Sequence, residues 1–152
     1  YAQIIQRDLG VDVDTVPGAG AAGGMGAALL AFCGADLRRG IEIVTEALGL
    51  EALVKDADLV ITGEGRIDSQ TIHGKVPIGV AKVAKRHNKP VIGIAGSLTA
   101  DVGVVHQHGL DAVFSVLYTI CTLDEALENA GDNVRMTARN IAATLKLAGS
   151  FH

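Results

Sequence analysis

Three short apolar runs constrain this chain more than anything else in it. They are "DLVIT" (58–62), "PVIGIA" (90–95) and "DAVFSVL" (111–117), each bounded by Gly, Asp or Pro. The first two are nearly continuous rather than alternating, which suits strands buried on both faces of a parallel sheet. Helical patterns separate them. Val76, Val80, Val83 and Ala84 recur on one face of a helix, and Lys82, Lys85, Arg86 and His87 gather at its end, where cations complement the helix dipole. "TADVGVVHQHG" predicts a second, shorter helix ending at Gly109. Thr122 and Glu125 form a capping box, after which Leu127, Ala130, Val134, Ala138, Ile141, Leu145 and Ala148 draw one apolar stripe. The order from Asp58 onward is β-α-β-α-β-α. That order predicts an α/β fold, a parallel sheet in three layers with right-handed crossovers.

The first third is less regular. "VDVDTV" alternates as a strand would. "PGAGAAGGMG" (17–26) follows, then a helix of small residues through Phe32, and "RRGIEIVTEALGLEALVKDA" is mostly helical by pattern. The chain opens at Tyr1 inside a helical pattern with no initiator Met, and reads as a piece of a longer protein.

Composition removes several classes of function. Hydrophobic residues make up 49% of the 152, with no Trp, so the core falls to Val, Ile, Leu and Ala. A net charge of −4 argues against a nucleic-acid binder, which gains affinity by neutralising phosphates. The longest apolar run, "AALLAF" (27–32), is far short of the roughly 20 residues a bilayer span needs. Two distant cysteines, Cys33 and Cys121, form no disulfide framework and are expected to pack as small apolar groups. A reducing cytoplasm is the expected compartment.

Ligands of open parallel sheets bind beyond the carboxyl ends of the strands. Three loops should gather there: "TGEGRIDSQTIHGK" (62–75), "GSLTAD" (96–101) and "YTICT" (118–122). The first is the richest in reactive groups, with Glu64, Arg66, Asp68, Ser69, Thr71, His73 and Lys75. Gly63 and Gly65 would let its backbone turn sharply or approach a ligand. Arg can clamp a carboxylate with two hydrogen bonds, Lys can take a phosphate, and a carboxylate can hold Mg²⁺ or accept a hydroxyl proton. A solvated loop of salt bridges is the plainer alternative. In the second loop, Ser97, Thr99 and Asp101 stand at a helix start, as a simple cap or as an anion site. His106 and His108, two apart on a helix, do not share a face and read as surface residues.

Gly18, Gly20 and Gly23 spell G-x-G-x-x-G, the dinucleotide fingerprint. That motif needs a following strand that ends in an acid about 20 residues on. Here "GIEIVTEALGL" reads as helix, so the confirming context is missing. An NAD(P)- or flavin-binding domain is therefore the second reading, and a non-catalytic binding module the third.

Taken together, "GAGAAGGMGAAL", "DADLVITGEGRIDSQTIHGKVPIGVAK", "KPVIGIAGSL" and "GLDAVFSV" resemble the bacterial glycerate kinase family, in its C-terminal portion. The likeness is to the enzymes of glycolate and of glucarate and galactarate breakdown. The resemblance implies a two-domain fold in which one α/β domain is flavodoxin-like, or Rossmann-like, and is assembled from both ends of the chain. Residues 1–55 would return from the inserted second domain, and 56–152 would supply the C-terminal half of the first. It implies transfer from ATP, with Mg²⁺, to D-glycerate, giving 2-phosphoglycerate. It also implies dependence on the N-terminal part of the same longer chain, and leaves a homodimer open. The chemistry of the residues then suggests Asp68 as base or Mg²⁺ ligand, Glu64 as second ligand, Lys75 as phosphate contact and Arg66 as carboxylate clamp. Gly18, Gly20, Gly23, Gly24, Gly63, Gly65, Ser69, Thr71, Ser97 and Thr99 would complete the substrate and nucleotide contacts.

Overall fold

The computed structural model describes residues 1–149. They form two compact units, one of residues 1–40 and one from Ile41 onward.

The first unit holds α1 (Ala2–Leu9) and α2 (Ala21–Cys33). Its small core is Ile5, Val13, Ala19 and Ala27. "VDVDTV" is not a strand here. Val13 is buried, but the Asp14 N–H donates to the Asp12 carboxylate at 3.0 Å and the chain turns away. An Asp side chain that bonds its own backbone two residues on competes with strand formation. Cys33 is exposed at the end of α2, against the expectation of a packed thiol.

The second unit is the α/β part. Helices α3 (Gly40–Ala47) and α4 (Leu50–Lys55) precede β1 (Val60–Ile67). A 3₁₀ turn (Ser69–His73) leads into α5 (Val76–Arg86) and β2 (Val91–Leu98). A second 3₁₀ segment (Val102–His108), β3 (Ala112–Ser115), α6 (Leu123–Glu128) and α7 (Ala130–Ala148) complete it. The sheet is parallel, as the sequence predicts, and its strand order is β1-β2-β3.

Its core gathers Ile67, Ile78, Ala81, Ala84, Val91, Ala95, Val105 and Leu110. The buried face of α5 is Pro77, Ile78, Ala81, Val83 and Ala84, so the expected stripe is turned. Val76, on the first helical residue, is exposed. Gly79 admits Ile41, whose side chain occupies the space a Cβ would take. The cations ending α5 pair with acids from elsewhere: Lys85 with Asp111 at 2.6 Å, and Arg86 and His87 with Glu51 at 3.7 and 3.0 Å.

Two expectations about burial are corrected. Central β2 is buried through Ala95 apart from a half-buried Ile94, but β1 alternates, with Ile61, Gly63 and Gly65 exposed. At the sheet edge β1 lacks a second neighbouring strand, so less of its surface is covered by flanking side chains. The terminal helix also breaks at Asn129, and α7 buries Asn133, Thr137 and Ile141. Leu127, Val134 and Leu145 of the expected stripe are exposed. The capping box itself is present: Glu125 N–H donates to Thr122 Oγ1, and Thr122 N–H to Glu125 Oε2.

Candidate functional site

The expected first loop is mostly strand. β1 continues through Ile67, and Gly63, Glu64 and Arg66 pair in register with Ile94, Ala95 and Ser97 of β2. Gly63 serves the pairing, whereas a Cβ on Gly65 would meet nothing within 4 Å. A Cβ on Gly63 would collide with the Ile94 carbonyl, and one on Gly96 would sit 2.6 Å from the Gly65 carbonyl oxygen. Gly63 and Gly96 are therefore the glycines that the tight two-strand contact requires, and Gly65 lies in strand rather than in a turning loop.

What remains as turn is short and tightly hydrogen-bonded. Asp68, in extended backbone, caps the 3₁₀ turn: its Oδ1 accepts from the N–H groups of Gln70 at 3.0 Å and Thr71 at 3.1 Å. The Asp68 N–H donates in return to Thr71 Oγ1 at 3.1 Å. The Thr71 hydroxyl donates to Glu64 Oε1 at 2.7 Å, with Asp68 Oδ1 farther off at 3.3 Å. Lys75 Nζ, at the N-cap of α5, donates to Asp68 Oδ1 at 3.3 Å. Gly74 makes this compactness feasible, closing the turn at φ 100.

The electrostatics follow. Partial burial pushes the Asp68 carboxyl up, but the hydrogen bond and charge of Lys75, with the Gln70 N–H and the Thr71 hydroxyl, together hold it below the usual carboxylate range. Asp68 is thus ionised at neutral pH, able to hold a cation or to accept a hydrogen bond from a hydroxyl.

Arg66 lies two residues from Glu64 and so on the same face of β1. It is exposed and has no ion pair among the described residues. Ser97 stands opposite it in β2, half-buried. Thr99 donates to Asp101. The Asp101 carboxyl is held low first by the Ser69 hydroxyl and then by Thr99. Asp101 sits at the N-cap of the second 3₁₀ segment, yet its side chain does not cap it. It ties the turn after β1 to the turn after β2 instead. The sequence offers Asp101 as part of a cap or an anion site, and no spacing rule shows its link to Ser69, about thirty residues earlier in the chain.

One expected ligand contact changes role. Thr71 is fully buried, so its hydroxyl serves Glu64 and Asp68 rather than a ligand. His73 is exposed. His106, also exposed, lies 2.8 Å by Nδ1 from the Leu110 carbonyl, and no group of three metal-ligating side chains occurs among the described residues. Glu64 and Asp68 are the two carboxylates joined through Thr71. Their hydrogen bonds all use Oε1 and Oδ1, so Oε2 and Oδ2 could hold a cation that keeps several waters and takes one or two carboxylates.

In the first unit, Ala22, Gly23 and Gly24 are left-handed, with φ 51, 69 and 95. The N–H groups of Ala21, Gly24 and Ala27 are used within the segment, on the carbonyls of Gly18, Gly20 and Ala19. Gly26 lies so close to the Gly18 carbonyl that a Cβ would stand 2.5 Å from it. Much of this glycine content serves close packing. The dinucleotide reading loses its remaining support at residues 41–45, where α3 occupies the place of the required strand.

A model of the glycerate kinase family matches residues 1–146. The chain belongs to the glycerate kinase family. It is 71% identical over 147 residues to the glycerate 2-kinase of Escherichia coli K12, covering 97% of this chain and 39% of the relative. It is 55% identical over 148 residues to the glycerate kinase of Bacillus subtilis 168, again 97% and 39%. A crystal structure of a candidate glycerate kinase 2 from Salmonella typhimurium LT2 superposes with a TM-score of 0.78 at 75% identity, covering 99% of this chain and 38% of that one. The chain thus spans about two fifths of these relatives' length and corresponds to their C-terminal part. Among the described residues no helix is long and apolar enough to cross a membrane.

Proposed function

We propose that the full-length protein containing this chain phosphorylates D-glycerate at the 2-hydroxyl with ATP as donor. The observation that carries this reading is the 71% identity to a relative named glycerate 2-kinase. In the reaction the substrate's 2-hydroxyl oxygen attacks the γ-phosphorus. The bond from that phosphorus to the bridging oxygen of ADP breaks, and the hydroxyl proton leaves to an acceptor.

The turn after β1 has the parts for this transfer. Asp68, ionised and held by Lys75, orients the attacking hydroxyl and receives its proton as the bond forms. Lys75 faces the phosphate oxygens. Arg66, exposed and without an ion pair among the described residues, takes the glycerate carboxylate through its planar fork. Ser97 and Ser69 line the adjoining strand ends as further hydroxyl contacts. Mg²⁺, when bound, would neutralise charge on the phosphate oxygens, with Glu64 and Asp68 as its protein ligands. The test is incubation of the full-length protein with ATP, Mg²⁺ and D-glycerate, and identification of the product by phosphorus NMR. A 2-phosphoglycerate signal is expected. Formation of 3-phosphoglycerate alone, or none at all, refutes the reading, and the latter favours a non-catalytic module.

A further inference from the structure

The one fully buried polar side chain of the β1 turn is not explained by capping alone. A capping box needs a residue that accepts from one backbone N–H and donates its own in return. Thr71 meets that need: it accepts the Asp68 N–H at 3.1 Å, and its N–H goes to Asp68 Oδ1 at 3.1 Å. Its hydroxyl proton is left over, and it goes to Glu64 Oε1 at 2.7 Å, an acid on a different element. A hydroxyl carries one proton, so this bond fixes the direction of the whole group. The side chain is β-branched and stiff at χ1, fully buried, and followed by Ile72 packed on the core.

We infer that Thr71 is a positioning residue, which holds the Glu64 carboxylate through its buried hydroxyl and the Asp68 carboxylate through its own N–H, and so fixes the two relative to each other. Glu64 lies within β1, and Asp68 caps the 3₁₀ turn that follows it. Thr71 bonds to both of them: its hydroxyl donates to Glu64 Oε1, its N–H donates to Asp68 Oδ1, and its Oγ1 accepts the Asp68 N–H. Each acid satisfies it through one oxygen, and the second oxygen of each is kept for a ligand. A serine keeps the hydroxyl. A valine keeps the shape and strands both the Asp68 N–H and the Glu64 carboxylate.

This rests on the kinase reading of the same turn, and the experiment separates the two. Full-length wild type, Thr71→Val, Thr71→Ser, Glu64→Gln and the Thr71→Val/Glu64→Gln pair are compared in steady-state kinetics. Mn²⁺ binding without substrates is followed by electron paramagnetic resonance. Thr71→Val is expected to lower kcat and to weaken Mn²⁺ binding each by about 10-fold or more, as loss of an orienting partner does, while KM for glycerate stays within about twofold. Thr71→Ser should stay within about threefold of wild type in both. In the Glu64→Gln background, Thr71→Val should add little. Thr71→Ala replaces Thr71→Val where the latter does not fold. A Thr71→Val protein that only melts earlier, with kcat and Mn²⁺ affinity unchanged, overturns the inference, as does full additivity with Glu64→Gln. If wild type phosphorylates nothing, the kinase reading falls, and the Mn²⁺ comparison judges Thr71 by itself.

Discussion

Gly96→Ala tests the claim that the site rests on an unusually close pair of strands. The added methyl would stand 2.6 Å from the Gly65 carbonyl oxygen, whereas ordinary contact begins at 3.4 Å. The obstacle is backbone, and no rotamer change relieves it. Strands β1 and β2 must separate locally by close to 1 Å, stretching hydrogen bonds of about 2.9 Å beyond the useful limit. Losing two such bonds, each worth about 1 kcal/mol net, with the strain of overpacking, gives about 2–4 kcal/mol. Gly65→Ala is the matched control, because a Cβ there meets nothing within 4 Å. The assay is hydrogen–deuterium exchange on the full-length protein, read in peptides spanning 60–67 and 91–98. Gly96→Ala should speed exchange there by about 30-fold or more, at roughly tenfold per 1.4 kcal/mol, and Gly65→Ala should leave it near wild type. Equal protection in the two variants would show that the glycines are not there for strand approach.

Three further outcomes follow. Asp68→Asn and Lys75→Ala should each lower kcat of the full-length enzyme by about 100-fold, the scale of one positioned group; activity within a few-fold of wild type would remove them from the site. Asp68, Asp101 and Asp111 all have carboxyls held below their usual range. Their contribution to stability is full above the unfolded carboxyl value of about 4 and is lost as pH falls through the lower folded values. Melting temperature should accordingly drop on acidification below about pH 4, and Asp111→Asn, which gives up the Lys85 pair, should flatten that fall. Thr122→Ala should cost about 1 kcal/mol by removing the cap of α6, visible as faster exchange confined to 123–128.

The sheet was legible because its strands are short apolar runs between helical periods, and parallel order follows from alternation of the two. The register was not. "GEG" at 63–65 read as a turning loop because glycine serves both turns and close approach, and only the neighbouring strand decides between them. Gly96 lies some thirty residues further along the chain, and nothing local announces that it will face Gly65. Similarly, the stripe from Leu127 to Ala148 has helical spacing throughout, yet of its residues only Ile141 turns inward, beside the polar Asn133 and Thr137. Periodicity identifies a helix, but burial depends on what lies beside it.

The same division explains why the reactive residues were found and their roles were not. Reading 62–75 as one loop made Glu64, Arg66, Asp68, Thr71 and Lys75 equivalent neighbours. In the fold, Glu64 and Arg66 obey the two-residue period of β1, Asp68 and Thr71 obey the cap geometry of the 3₁₀ turn, and Lys75 starts α5. Each group is therefore aimed by a different rigid element, and a site built on such elements is more exact than one on a free loop. The Asp-x-x-Thr spacing of 68–71 was open to reading as a cap from the start. Its consequence was not, because the spare hydroxyl proton acquires meaning only once β1 is known to run far enough to bring Glu64 beneath the turn.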